Sequence, residues 1–136
     1  MKKIVFLLIA VLSIATVFAQ ANPATKAPIE FKEAKHSFGK IKQGTPVTYT
    51  FAFKNTSATP VVIESATAQC GCTTPEYPKG VVAKGASEKI KVTYNAAAMG
   101  SFTKQVTIRV AKFADPIILT IDGEVVEAAA ATTTKH

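Results

Sequence analysis

Apolar and polar side chains alternate through the middle of the chain. In "VTYTFAFKN", Val47, Tyr49, Phe51 and Phe53 fall on one side, and Thr48, Thr50 and Lys54 on the other. In "EKIKVTYN", Ile90, Val92 and Tyr94 alternate with Lys89, Lys91 and Thr93. "FTKQVTIRV" sets Phe102, Val106, Ile108 and Val110 against Thr103, Gln105, Thr107 and Arg109. "PIILTIDGEV" sets Ile117, Leu119, Ile121 and Val125 against Thr120, Asp122 and Glu124. A period of two carried by β-branched and aromatic residues predicts strands with one buried face. Shorter apolar runs predict further strands at Ile29 to Phe31, Val61 to Ile63 and Gly80 to Ala83.

Turn chemistry separates these runs. "KNTSATP", "YPKG", "KGAS", "NAAAMG" and "ADP" supply the Asn, Asp, Gly and Pro that tight turns need. No helical periodicity of useful length appears after residue 21. About seven short strands, each with one apolar face, must bury those faces against a second sheet. The expected architecture is an all-β, antiparallel Ig-like sandwich, with a small barrel as the alternative.

The first residues have a different pattern. Met1-Lys2-Lys3 is basic, Ile4 to Phe18 is apolar apart from Ser13 and Thr16, and "VFAQAN" carries small residues suited to cleavage after Ala19 or Ala21. This is the signature of a secretory signal peptide over 1–21, and the run is short against the ~20 residues of a spanning helix. A flexible leader over 22–27, a sandwich domain over 28–126 and a disordered tail over 127–136 complete the expected organisation. The tail "EAAAATTTKH" lacks the large apolar residues needed to order itself. The expected localisation is therefore exported, periplasmic or extracellular, with no stable membrane insertion after cleavage.

Charge adds little. Removing Lys2 and Lys3 takes the formal net charge from +7 to +5, and the remaining basic residues are spread along the chain, with Arg109 the single arginine. A nucleic-acid surface concentrates basic residues on one face with aromatics between them, so no nucleic acid is expected. The partner expected instead is a protein or glycan of the cell envelope.

Candidate chemistry is confined to "TAQCGCTTPEYP", which holds the only two cysteines of the chain, Cys70 and Cys72. Four readings stay open: a local disulfide, buried or interchain thiols, a soft-metal site, and a redox catalyst. In extended backbone residues i and i+2 lie ~6.5 to 7 Å apart, at the limit a disulfide spans, although Gly71 gives the backbone freedom to fold inward. A ring with one intervening residue stabilises little, ~1.5 kcal/mol before strain. Two thiolates suffice for copper(I), whereas zinc wants four ligands. His36 is distant in sequence and reads as a strand-edge residue, and His136 lies in the tail. Redox enzymes more often place Cys-x-x-Cys at a helix N-terminus. Tyr77, between Pro75 and Pro78, is a candidate binding contact or a side chain packed over the cysteine loop. Asn55-Thr56-Ser57 matches the glycosylation acceptor pattern, which is common by chance. No Gly-x-Ser-x-Gly, His-Glu-x-x-His or phosphate-cradling loop is present, so neither enzymatic activity nor a cofactor is expected.

"HSFGKIKQG", "VTYTFAFKNTSATPVVIESATAQCGCTTP", "KGASEKIKVTYN" and "ILTIDGEV" together resemble a family of exported bacterial domains of unknown function with a Cys-Gly-Cys-Thr motif. That family is similar to Hydin-type (ASH) Ig-like domains and to PapD-like sandwiches. The resemblance covers Ile29 to Val126. It departs at "AKGASE", where Lys84-Gly85 stands in for the family's usual Pro-Gly-Glu turn. It implies an Ig-like sandwich in the cell envelope acting as a binding or structural module. The alternative function is a thiol protein using Cys70 and Cys72 for redox exchange or copper binding.

Overall fold

A computed structural model describes residues 26–128. The expected signal peptide lies outside them, as do most of the leader and the tail, His136 included. The elements among the described residues are nine strands: β1 (Ile29–Phe31), β2 (Lys35–Lys42), β3 (Val47–Asn55), β4 (Val61–Ala68), β5 (Thr73–Glu76), β6 (Val81–Val82), β7 (Ser87–Tyr94), β8 (Gly100–Val110) and β9 (Ile117–Val126). They form a sheet of order β1-β3-β7-β5 and a sheet of order β2-β9-β8-β4-β6. The architecture is the sandwich that the alternation predicts.

The inward rows make one core. Phe51, Phe53, Ile90, Val92 and Tyr94 come from the first sheet; Ile63, Val106, Ile108, Val110, Leu119, Ile121 and Val125 come from the second. All are buried, and each full burial of a large apolar side chain contributes about 1.5–3 kcal/mol. Tyr94 stacks on Phe102 at 3.9 Å between ring centres, joining the two sheets.

Two strands were not evident from the alternation. β2 buries only Ile41 fully, because a bulge between Ser37 and Lys40 breaks its period. It pairs parallel with β9, the one parallel ladder among the described residues, whose other ladders are antiparallel. The chain changes sheets between β1 and β2: Lys32 N–H donates to Ala52 O at 3.1 Å, whereas Ala34 O accepts from Thr120 N–H at 2.8 Å. At the bulge Gly39 takes φ +66°, and a Cβ on Gly123 would stand 2.8 Å from Gly39 O and 2.9 Å from the Phe102 ring. "FGKI" and "DGEV", far apart in sequence, are therefore two halves of one close contact. The other strand, β5, turns part of the expected cysteine-to-Tyr77 loop into an edge strand paired with β7. Pro75 is tolerated there because an edge strand need not donate on its free side.

One end of the sandwich is closed by Asn55, only 1% exposed. Its Nδ2 donates to Thr59 O at 2.9 Å and Val82 O at 3.0 Å. Its Oδ1 accepts from Ser57 N–H at 2.9 Å and Ser57 Oγ–H at 2.7 Å. The backbone N–H donates to Ala86 O, and the carbonyl accepts from Gly85 N–H. The acceptor pattern at Asn55 thus marks a structural asparagine: both amide hydrogens are engaged inside the fold.

Candidate functional site at the cysteine turn

At the opposite end lie the β2–β3 turn, the cysteine turn and the β7–β8 loop. β4 ends at Ala68 and β5 begins at Thr73. Between them the chain turns rather than running extended: Thr73 N–H donates to Cys70 O at 3.3 Å. This turn brings the Cα atoms of Cys70 and Cys72 to 5.3 Å, with their sulfurs at disulfide distance. The spacing expected for extended backbone is corrected accordingly, because the i to i+3 closure shortens the reach into the usual disulfide range. There is no free cysteine among the described residues.

Backbone bonds from two sides fix the turn. Gln69 N–H donates to Gln105 O at 3.2 Å, and Asn95 N–H donates to Cys72 O at 2.9 Å. The β7–β8 loop is fixed in turn. Asn95 Oδ1 accepts from Ala97 N–H at 3.1 Å, Ala96 O accepts from Gly44 N–H at 2.9 Å, and Gln43 Nε2 donates to Ala97 O at 3.1 Å. Ala96 is buried with φ 54°, a conformation that costs a non-glycine residue about 1–2 kcal/mol. Its packing and the Gly44 bond hold it there. Met99, in the same loop, is 50% exposed.

The residue that sequence reasoning missed is Thr73. It stands opposite Tyr94 in the inward row of β5 and is 4% exposed. Its hydroxyl lies 3.9 Å from Cys70 Sγ and 3.8 Å from Cys72 Sγ, within reach of sulfur hydrogen bonds. The only available signal was its place after "CGC". Cys72 packs against the core, while Cys70 does not belong to that cluster.

Tyr77 stands apart from the sulfur chemistry. It packs against the core from the end of β5, and its hydroxyl donates to Glu64 O at 3.2 Å. Glu64 is the residue skipped at the β4–β8 register shift, so Tyr77 ties the bulge of one sheet to the edge of the other. Lys79 Nζ sits 3.5 Å from its ring centre.

His36 is on edge strand β2, as its sequence context suggested. It stacks on Tyr49 at 3.5 Å and meets Phe38 edge-on. The Tyr49 hydroxyl donates to Glu33 Oε2 at 2.6 Å. That bond, with partial burial, holds Tyr49 above the ordinary phenol range. Asp122 is held below the usual carboxylate range by the Ser37 hydroxyl and then by Lys35, whose Nζ is 2.9 Å away. Among the described residues no three His, Cys, Asp or Glu side chains cluster to hold a metal. His36 is not brought to the cysteines. Grooves of about 520 and 630 Å³ lie toward the Asn55 end, lined respectively by Phe31, Phe53 and Lys54, and by Ser57, Lys112 and Phe113. Neither is lined by the cysteine turn.

Residues 29–125 match the family described as "Protein of unknown function (DUF1573)". The chain belongs to this family. No curated protein matches it in sequence. Among solved structures the DUF1573 chain is similar to the ASH / PapD-like domain 7 of human CEP192, with TM-score 0.65 and 13% identity over 78% of this chain and 92% of that one. It is also similar to a protein of unknown function from Porphyromonas gingivalis W83, with TM-score 0.62 and 17% identity over 76% of this chain and 51% of that one. A third similarity is to the secreted serine protease VesC from Vibrio cholerae, with TM-score 0.57 and 14% identity. That match covers 74% of this chain but only 23% of the protease. At these identities the likeness is one of fold, and fold does not fix function.

Proposed function

We propose that the chain is an exported, non-enzymatic Ig-like binding module of the bacterial cell envelope, engaging a protein partner through the end that carries the cysteine turn. The observation that carries this reading is the mutual bracing of three loops at that end: Gly44 to Ala96, Gln43 to Ala97 and Asn95 to Cys72. Braced loops on a rigid sandwich bind with little ordering cost, and binding sites concentrate on such loops. The surface they offer is uncharged, with Gly71, Ala97, Ala98 and Met99 exposed beside the neutral polar Gln43, Thr45, Gln69 and Asn95. Charge-poor, methionine-bearing surface is typical of protein interface cores. No exposed aromatic ring lies in these three loops to stack on a sugar, so protein is favoured over glycan. Export rests on the basic n-region, apolar run and small-residue cleavage site at the start of the chain.

A photo-reactive residue placed at Met99 or at Lys112, at opposite ends of the full chain, tests the proposal in a bacterium that makes the protein. The expected result is a discrete adduct from Met99 and none from Lys112, on a chain recovered outside the cytoplasm with residues 1–19 or 1–21 removed. Adducts from Lys112 alone, or an uncut cytoplasmic chain, would contradict it.

A further inference from the structure

Thr73 occupies a position where valine, with the same shape and no polar atom, is the default. It is an inward-facing, buried site on a strand, opposite Tyr94. Among the described residues its hydroxyl finds the two cysteine sulfurs and no other side-chain partner. Among the described residues no buried side-chain polar atom is left without a hydrogen-bond partner, so these sulfurs are what make the hydroxyl acceptable in the core. A disulfide sulfur is a weak acceptor. A thiolate is a strong one, because a hydrogen bond to an ionised group is roughly twice as strong as a neutral one. The hydroxyl therefore gains most when the bond is open.

The bond itself is placed to open at little cost to the fold. It links residues only two apart, so breaking it releases no distant segment, and a ring this small constrains the unfolded chain by only about 1.5 kcal/mol. The backbone bonds Thr73 N–H to Cys70 O, Asn95 N–H to Cys72 O and Gln69 N–H to Gln105 O hold the turn in its absence. The two sulfurs are also unequal: Cys72 lies against the core, and Cys70 stands outside the core cluster.

We infer that Cys70, Cys72 and Thr73 form a thiol–disulfide exchange site that oxidises a dithiol presented by an exported protein. A partner thiolate attacks Cys70 Sγ. A bond forms between the partner sulfur and Cys70, and the Cys70–Cys72 bond breaks. Its electron pair leaves on Cys72 Sγ, where the Thr73 O–H donates to the new thiolate. The second partner thiolate then attacks the partner sulfur of the mixed disulfide. This closes the partner's own disulfide and releases Cys70 as a thiolate, which takes a proton from water. The partner loses two electrons and the Cys70–Cys72 pair gains them, one disulfide per chain, a stoichiometric exchange without turnover that leaves the module non-enzymatic. Thr73 is a positioning residue: by stabilising the leaving thiolate it speeds departure, since a leaving thiol of lower pKa leaves faster. The site takes export from the proposed function but stands independently of the docking surface, because exchange with a small thiol needs no docked partner and is measurable if the cross-link at Met99 fails.

The test uses the full chain in native buffer with dithiothreitol as the probe dithiol. Alkylation and intact mass are followed alongside near-ultraviolet circular dichroism. The expected result is uptake of two alkyl groups with the folded spectrum retained. Brief exposure to reduced glutathione followed by acid quenching traps the single-thiol adduct, which fragmentation places on Cys70. Thr73→Val, or Thr73→Ala should the valine variant fail to fold, slows reduction about tenfold and moves the pH midpoint of alkylation upward by about one unit. Thr73→Ser restores both. Reduction only in denaturant, an adduct on Cys72, or a Thr73 variant with unchanged rate and pH profile would overturn the inference.

Discussion

The two ends of the sandwich solve the same problem, tying strand ends together, in opposite ways. At one end a buried Asn55 uses its side-chain amide and its backbone to bind five other residues: Ser57, Thr59, Val82, Gly85 and Ala86. The Asn55 side chain faces wholly inward, and none of its polar atoms is left to meet a partner. At the other end backbone-to-backbone bonds and one glutamine link the loops, while the cysteine pair and Met99 stay accessible. The first end commits its polar chemistry to stability. The second holds its loops by the main chain and leaves side-chain chemistry available. Both segments carry clear polar or sulfur motifs in sequence, yet burial alone separates the structural motif from the functional candidate.

Substitutions should separate the ends sharply. The largest effect is expected at Asn55→Ala, which strands buried N–H and C=O groups from several loops and should cost about 3 kcal/mol or more in urea unfolding. A loss under 1 kcal/mol would break the comparison. Gly123→Ala comes next. Its Cβ would press on Gly39 O and the Phe102 ring, and overpacking of this kind costs about 1–3 kcal/mol by the same measurement. The double variant Cys70→Ala, Cys72→Ala should lose no more than about 1.5 kcal/mol, because so small a ring constrains the unfolded chain little. A larger loss would make the cysteine end structural. Lys112 holds φ 63° on the exposed β8–β9 turn, so Lys112→Gly should stabilise by about 0.5 kcal/mol once the added freedom of the unfolded chain is counted.

The smallest effect concerns pH. The Ser37 hydroxyl and Lys35 hold Asp122 below the usual carboxylate range. Its contribution is fully present above the unfolded-state value of about 3.9 and is lost as pH falls through the lower folded value. Asp122→Asn should therefore lower stability slightly and by a constant amount above about pH 4, and shallow the acid limb of the stability curve below it. Thermal unfolding across that range checks it.

Much of the fold was legible because burial imposes period two. Phe51, Phe53, Ile90, Val92, Val106, Ile108, Leu119 and Ile121 all lie where alternation placed them. β2 was not legible, since Gly39 and its bulge shift the period halfway along and lysines fill the exposed positions. β5 was hidden by Pro75 and by the absence of any large apolar residue over Thr73–Glu76. Tyr49, expected in the core, is only partly buried, because its hydroxyl reaches out to Glu33 and its ring covers His36. For the site, the sequence pointed to Cys70 and Cys72 but left their pairing open. Thr73 was invisible as a contributor, since threonine is ordinary in strands and only its burial against two sulfurs distinguishes it.

Amide hydrogen exchange on the disulfide and dithiol forms tests the central claim most directly: chemistry at the cysteine end is uncoupled from the fold held elsewhere. On reduction, protection should change only around Gln69 to Thr73 and Asn95, with Asn55, Ile108 and Leu119 exchanging as slowly as before. Loss of protection across the core strands on reduction would contradict the account.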